Sequence, residues 1–186
     1  ALLSNISLSD APSHIIGDAF QAIIGPTIRG DKGQFFTPKS LVKCMIKIID
    51  PKDGEIIMDP ACGTGGFLVE SYGYQYNGKQ SETNSYYIGI DKDKDMSDLS
   101  MAVTEIITSG KSKVYNQNSL EILCEGCKNH DLLGTIDVIL TNPPFGSKIG
   151  VTEKTILEKY EFGHAWTFSE KDNTWYKMSN IVKSQD

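Results

Sequence analysis

Glu55-Ile56-Ile57-Met58 runs into Asp59-Pro60-Ala61-Cys62-Gly63-Thr64-Gly65-Gly66-Phe67. The apolar run reads as a short buried strand, and the residues from about 66 to 76 read as the helix after it. Between them, glycines permit tight backbone dihedrals and close approach of a ligand. Strand, Gly-x-Gly-Gly and helix form a nucleotide-binding layout. The spacing is not Gly-x-Gly-x-x-Gly, so a pyrophosphate-binding dinucleotide site is weakly supported. An acid at the start of the loop, Asp59, suits a ligand carrying positive charge, such as an amino group or a sulfonium. The plain alternative is a tight strand-to-helix turn without a ligand.

Working outward, Tyr86-Tyr87-Ile88-Gly89-Ile90 reads as a second strand that closes with Asp91. A carboxylate there can accept from both hydroxyls of a ribose, or it can be a solvated strand-end acid. An adenosyl ligand with an amino-acid tail and no phosphates fits Asp59 and Asp91 together, which describes S-adenosylmethionine. A helix over about 93–109 is expected to bury Met96, Leu99, Val103, Ile106 and Ile107. A weak third strand, Lys113 to Asn116, is followed by Asn118. Asn118 either bonds the adenine of such a cofactor or caps a turn.

The fourth strand, Ile136-Asp137-Val138-Ile139-Leu140, is expected to run to Asn142 in Thr141-Asn142-Pro143-Pro144-Phe145-Gly146. Ligands of open α/β sheets bind at the carboxyl ends of strands. Pro143 and Pro144 make a stiff corner that cannot continue a ladder. The corner leaves the Asn142 carboxamide and the carbonyl of residue 143 free to accept hydrogen bonds, and Phe145 offers a flat face. A planar aromatic amine is a poor nucleophile because its lone pair is delocalised. Two acceptors that each take one amine hydrogen favour a pyramidal nitrogen, and a stacked ring holds the base plane. A strand ending in a Pro-Pro turn with a buried Phe is the bland alternative.

Toward the amino end, Ile15, Ile16, Ala19, Phe20, Ile23 and Ile24 recur at helical spacing between Pro12 and about Ile28, and Gly25-Pro26 ends or kinks that helix. Residues 1–30 thus read as the end of a helical region, and 31–186 as a partial catalytic domain. Gly33-Gln34-Phe35-Phe36-Thr37-Pro38 comes next. Thr37 is expected to cap a helix whose first residue is Pro38. That helix runs to about Asp50 and buries Leu41, Val42, Met45, Ile46 and Ile49. Beyond Gly146 the periodicity dissolves. A short helix within 151–160 is expected, then a charged loop with a hairpin around Trp166, Phe168, Trp175 and Tyr176.

The succession of strands and helices predicts an α/β fold with a parallel sheet and helices on both faces. The 186 residues carry a net charge of −6, which lacks the basic signature of a self-sufficient nucleic-acid binder. A nucleic-acid substrate would then need a local basic patch or a partner for its phosphates. No signal peptide and no 18-residue apolar run is present, so no membrane association and a cytoplasmic location are expected. A first residue Ala1 rather than Met suggests a fragment or a processed chain. The cysteines are Cys44, Cys62, Cys124 and Cys127. Cys124 and Cys127, with His130 behind, have the spacing of half a zinc site. No second pair follows, so no metal is expected and reduced thiols in a loop are the preferred reading.

The chain resembles amino-group DNA methyltransferases of the gamma class over roughly residues 15–165. The resemblance rests on motif X at 33–38, motif I at Asp59–Phe67, motif II at Asp91 and motif IV at Asn142–Phe145. GQFFTP, DPACGTGGF and TNPPFG together look most like the modification subunit of type I restriction–modification systems. The resemblance implies a Rossmann-like methyltransferase fold whose sheet has seven strands. Four are visible, so the sheet would be truncated after the fourth strand. It implies that Phe36, Thr37 and Pro38 line the methionine end of S-adenosylmethionine. Asp59, Ala61, Gly63 and Gly65 would form the main cofactor loop, and Asp91 would hold the ribose. Asn142 and the Pro143 carbonyl, on the corner completed by Pro144, would grip the amine of a flipped adenine stacked on Phe145. The implied partners are DNA and the specificity and restriction subunits. A methyltransferase acting on a protein glutamine or an RNA base shares the Asn-Pro-Pro-Phe string and is the alternative.

Overall fold

The computed structural model describes residues 37–76, 83–123, 130–144 and 150–183. The expected helix within 12–28, residues 33–36, Phe145, Gly146 and the Cys124/Cys127 pair lie outside them. Strands β1 (Ile56–Asp59), β2 (Tyr86–Asp91), β3 (Ser112–Asn116) and β4 (Val138–Ile139) form one parallel sheet in the order β3-β2-β1-β4. β1 is hydrogen-bonded on both edges, and Ile57, Met58 and Asp59 at its end are all buried. This is why it reads as a continuous apolar run rather than an alternating one. Helices α1 (Lys39–Ile49), α2 (Gly66–Tyr76) and α3 (Lys94–Ile107) complete this unit.

Side chains alternate across a strand. Ile57, Tyr87 and Val114 share one face and form a core with Leu68, Val69 and Tyr72 of α2 and Val103 and Ile107 of α3. A second cluster joins Val42 and Ile46 of α1, Phe67 of α2 and Leu140 after β4. The chain steps from β1 to β2 to β3 in one direction, then β4 returns to the other side of β1. That reversal is the topological switch point, where such sheets hold ligands.

Several elements differ from expectation. β4 is shorter than a strand reaching Asn142. Its ladder extends only through Asp137 N to Ile56 O (3.0 Å) and Leu140 N to Met58 O (3.0 Å). Pro143 has no N–H to extend it. In α1, Val42 and Ile46 are buried and Met45 half-buried, but Leu41 and Ile49 are each 49% exposed. Among the described residues, Phe67 and Leu140 cover only a stripe of α1, so the flanks of a wide apolar face stay open. Ile106 of α3 is likewise exposed, and its place toward the core is taken by Ser97, Ser100 and Thr104. Their hydroxyls can be buried because each has a partner: Ser97 donates to Lys94 O, Thr104 donates to Ser100 O, and Ser100 Oγ accepts from Cys62 Sγ.

Residues 120–133 and 144–186 form a second compact unit. It contains α4 (Lys154–Leu157), the short turn Glu161–Gly163, and an antiparallel hairpin of β5 (His164–Ser169) and β6 (Thr174–Ile181). The Phe168 and Trp175 rings pack 5.4 Å apart on the hairpin. Gly163 is obligatory, since a Cβ there would lie 1.9 Å from the Leu157 carbonyl oxygen. Among the described residues, no helix is long and apolar enough to cross a membrane.

Candidate active site

The parallel sheet brings Asp59, Asp91 and Asn142 to one edge, although they are far apart in sequence. Asp59 ends β1, Asp91 ends β2, and Asn142 stands three residues beyond β4, which pairs with β1. The glycine loop rises from the central strand between them. Its path is set by four contacts. Cys62 N donates to Ile90 O at 2.9 Å, and Gly65 N to Cys62 O at 2.8 Å. Gly63 N donates to Asp91 Oδ2 at 2.8 Å. The Ser119 hydroxyl donates to the Pro60 carbonyl and ties the loop to the segment after β3.

Two positions in this loop require glycine. Gly63 and Gly65 have φ of +51° and +81°. A Cβ on Gly65 would also fall 2.8 Å from Ser100 Oγ and 2.9 Å from Thr104 Cγ2. Small side chains on α3 thus let the loop sit against the helix. Gly65→Ala combines left-handed strain of about 1–2 kcal/mol with overpacking of about 1–3 kcal/mol. A melting temperature lower by about 5 °C or more is expected in thermal denaturation. An unchanged melting temperature would show that the loop relaxes freely. A Cβ on Gly63 meets nothing within 4 Å, so open space adjoins that part of the loop.

Asp59 is 1% exposed. Burial raises its carboxyl pKa to about 6, against the downward pull of the Ala61 N–H, which donates to Oδ1 at 3.0 Å. The Thr141 hydroxyl is near enough to pull in the same downward direction but has no hydrogen bond of good geometry. Asp59 is therefore a buried acid with a perturbed pKa, which makes it a candidate binding residue for a cationic or donor group. Cys62 beside it is 5% exposed. Burial pushes its thiol up to about 12, so it is a packing residue rather than a nucleophile.

Asp91 is half-buried, and each of its carboxylate oxygens already accepts a backbone N–H: Oδ2 from Gly63 and Oδ1 from Asp93 at 2.9 Å. A carboxylate has about four acceptor directions, so these two bonds do not exhaust its capacity. The charged run after it has a local explanation. Asp93 caps α3, accepting from Asp95 N and Met96 N, and Lys94 pairs with Asp98 one turn on. Asn118 is half-buried just past β3.

Asn142 is half-buried, and its Nδ2 donates to Thr37 Oγ1 at 3.0 Å. This corrects the expected cap. α1 begins at Lys39 with Pro38 (φ −54°, ψ 133°) as the N-cap residue and no side-chain cap bond. The fixed φ of Pro38 lets its carbonyl accept from Leu41 N and Val42 N, so the Thr37 hydroxyl is left for Asn142. With its NH2 held by Thr37, Asn142 keeps Oδ1 as an acceptor. Pro143 and Pro144 are exposed, and Pro144 belongs to the second unit. Phe36 and Phe145 lie outside the described residues. Sequence reasoning missed Ser119, Ser100 and Thr104. The last two had a signal in their four-residue spacing on the α3 face opposite the glycine loop.

A family model described as N-6 DNA Methylase matches residues 11–184. The methylase subunit of the type I restriction enzyme EcoEI of Escherichia coli is 32% identical over 168 residues, covering 84% of this chain and 32% of that protein. The MjaVIII methylase subunit of Methanocaldococcus jannaschii is 28% identical over 198 residues, covering 96% of this chain and 32% of that protein. The chain thus spans about a third of the length of the curated relatives it matches. A chain from a structure of a type I restriction–modification system, solved for its complex assembly and conformational transition, superposes with a TM-score of 0.61. It has 25% identity and covers 86% of this chain and 33% of that one.

Proposed function

This chain belongs to the N-6 DNA methylase family, and from that premise we propose that it carries the cofactor loop and the amine-gripping corner of a modification subunit. The reaction is transfer of a methyl group from S-adenosylmethionine to the exocyclic amine of adenine in DNA. Residues 31–186 are part of its catalytic domain. The observation that carries the proposal is the Asn142 carboxamide, held by Thr37, at the carboxyl end of the strand beside buried Asp59.

The residues present fit the cofactor. Asp59 is a buried acid with one backbone donor, suited to the ammonium or sulfonium of an amino-acid tail. Open space adjoins Gly63, and Asp91 retains acceptor directions for a ribose. Thr37, Pro38, Ala61, Gly65 and Asn118 stand in the same unit. When bound, the cofactor supplies an electrophilic methyl on a sulfonium. The protein's part is to prepare the amine. Asn142 Oδ1 and the Pro143 carbonyl each accept one amine hydrogen, which pyramidalises the nitrogen and returns its lone pair. The family resemblance would add Phe36 to the cofactor site and Phe145 as the ring that stacks on the extruded base. Stacking returns about 1–3 kcal/mol of the few kcal/mol that extrusion costs.

The net charge of −6 suits a subunit that leaves sequence reading to a specificity subunit and cleavage to a restriction subunit. Cys44 and Cys62 are free thiols, in keeping with a cytoplasmic setting. The test uses the complete subunit, its specificity partner and methyl-labelled cofactor, offered DNA, RNA and protein together. Label is expected in N6-methyladenine of DNA. Label in RNA or in glutamine would overturn the proposal.

A further inference from the structure

We propose that Thr37 is a positioning residue for methyl transfer: its hydroxyl holds the Asn142 carboxamide so that Oδ1, not the NH2, faces the target amine. The inference rests on the functional reading above and adds a residue to it. The contact itself is the Asn142 Nδ2 to Thr37 Oγ1 hydrogen bond of 3.0 Å, spanning 105 positions of sequence.

A carboxamide has one acceptor end and one donor end, and an exposed asparagine turns between them at little cost. Gripping an amine needs the acceptor end. A neighbour that accepts from the donor end, as Thr37 Oγ1 does, leaves Oδ1 at the other end without touching the substrate. Thr37 can do so because both sides of the contact are anchored. Pro38 restricts the residue before it to extended backbone, and α1 follows at once. Val42 and Ile46 of α1 pack with Phe67 and with Leu140, two residues before Asn142. One apolar cluster therefore fixes the distance between the start of α1 and the end of β4. The hydroxyl then anchors the amide across that gap. Thr37 is half-buried, so water competes less well for the same hydrogen.

Thr37→Val keeps the shape and removes the acceptor, while Thr37→Ser keeps the hydroxyl. With the complete subunit and its specificity partner, T37V is expected to lower kcat by about ten- to a hundredfold, the scale of a misplaced catalytic group. The kcat loss is read at saturating S-adenosylmethionine, so that any change in cofactor KM from Thr37's own place near the methionine end is kept apart from it. T37S should restore most of kcat. A second readout needs no turnover. With asparagine labelled by nitrogen-15, the Asn142 side-chain amide protons should exchange slowly in wild type and T37S, and faster in T37V. A wild-type kcat for T37V, a loss confined to cofactor KM, or Asn142 signals identical in wild type and T37V would each overturn the positioning role. Absence of DNA adenine methylation by wild type would sink the functional reading instead, and the exchange measurement would still report the Thr37–Asn142 bond by itself.

Discussion

On the proposed function, Asn142→Ala is expected to lower the rate of methyl transfer to adenine by about 10²–10³, the scale for losing one positioned hydrogen bond made in a transition state. The ground state needs little from Asn142, because an adenine amine hydrogen-bonds readily to water. The transition state needs more, since the nitrogen must become pyramidal as its lone pair moves to the methyl carbon. An acceptor held in place favours that change, and Asn142 Oδ1 is held because its NH2 is already committed to Thr37. The loss should therefore fall on kcat, with cofactor KM nearly unchanged. Asn142→Asp keeps an acceptor and should retain more activity than alanine. Single-turnover kinetics with the complete subunit and its specificity partner measure this directly. Transfer by Asn142→Ala within about threefold of wild type would remove the residue from the mechanism.

Asp59→Asn makes the ligand-free protein more stable at pH 7.5 and weakens cofactor binding at least about tenfold. The carboxyl is 1% exposed, and its pKa stands at about 6 instead of 3.8 because burial disfavours the charged form. Below about pH 3.8 both folded and unfolded chains hold the proton, and there is no effect. As pH rises from there, the unfolded chain releases the proton first. Stability falls through the window up to about pH 6, and above it the full cost remains, on the order of 3 kcal/mol. Asparagine has no charge to bury and can still accept from Ala61 N. Its melting-temperature advantage should be near zero at pH 3.5 and reach several degrees at pH 7.5. The same substitution removes the anion that would meet the cofactor's positive charge, a hydrogen bond worth about 1.5–3 kcal/mol. Thermal melts across pH and calorimetric titration give the two numbers. A destabilised variant at pH 7.5 with unchanged affinity would show that Asp59 is structural.

Much of the site could be read in sequence because its backbone demands are local. Gly63 and Gly65 hold positive φ. Asp59 and Asp91 end strands whose apolar runs are unambiguous, and Pro143 marks where β4 must stop. Other features depended on neighbours. Leu41, Ile49 and Ile106 follow helical periodicity yet stay exposed, because periodicity specifies a face and not how much of it another element covers. Ser100 and Thr104 look like surface residues, but the glycine loop lies against them, and only a small side chain leaves room. Thr37 has every local mark of a helix cap, yet its hydroxyl bonds a residue 105 positions away.

By itself, the sequence determined the parallel α/β class, the two strand-end acids, the glycine loop and the proline corner. Each follows from residue-level constraints on φ, hydrogen bonding and alternation that hold wherever the chain goes. Only the tertiary structure decided that β4 joins β1 rather than β3, which sets Asn142 just past the strand paired with the one Asp59 ends, and that Thr37 reaches the Asn142 amide. Those outcomes depend on which apolar surfaces pack together, here Val42 and Ile46 of α1 with Phe67 and Leu140. Such pairing is a property of the whole core and leaves no mark in any single stretch of residues.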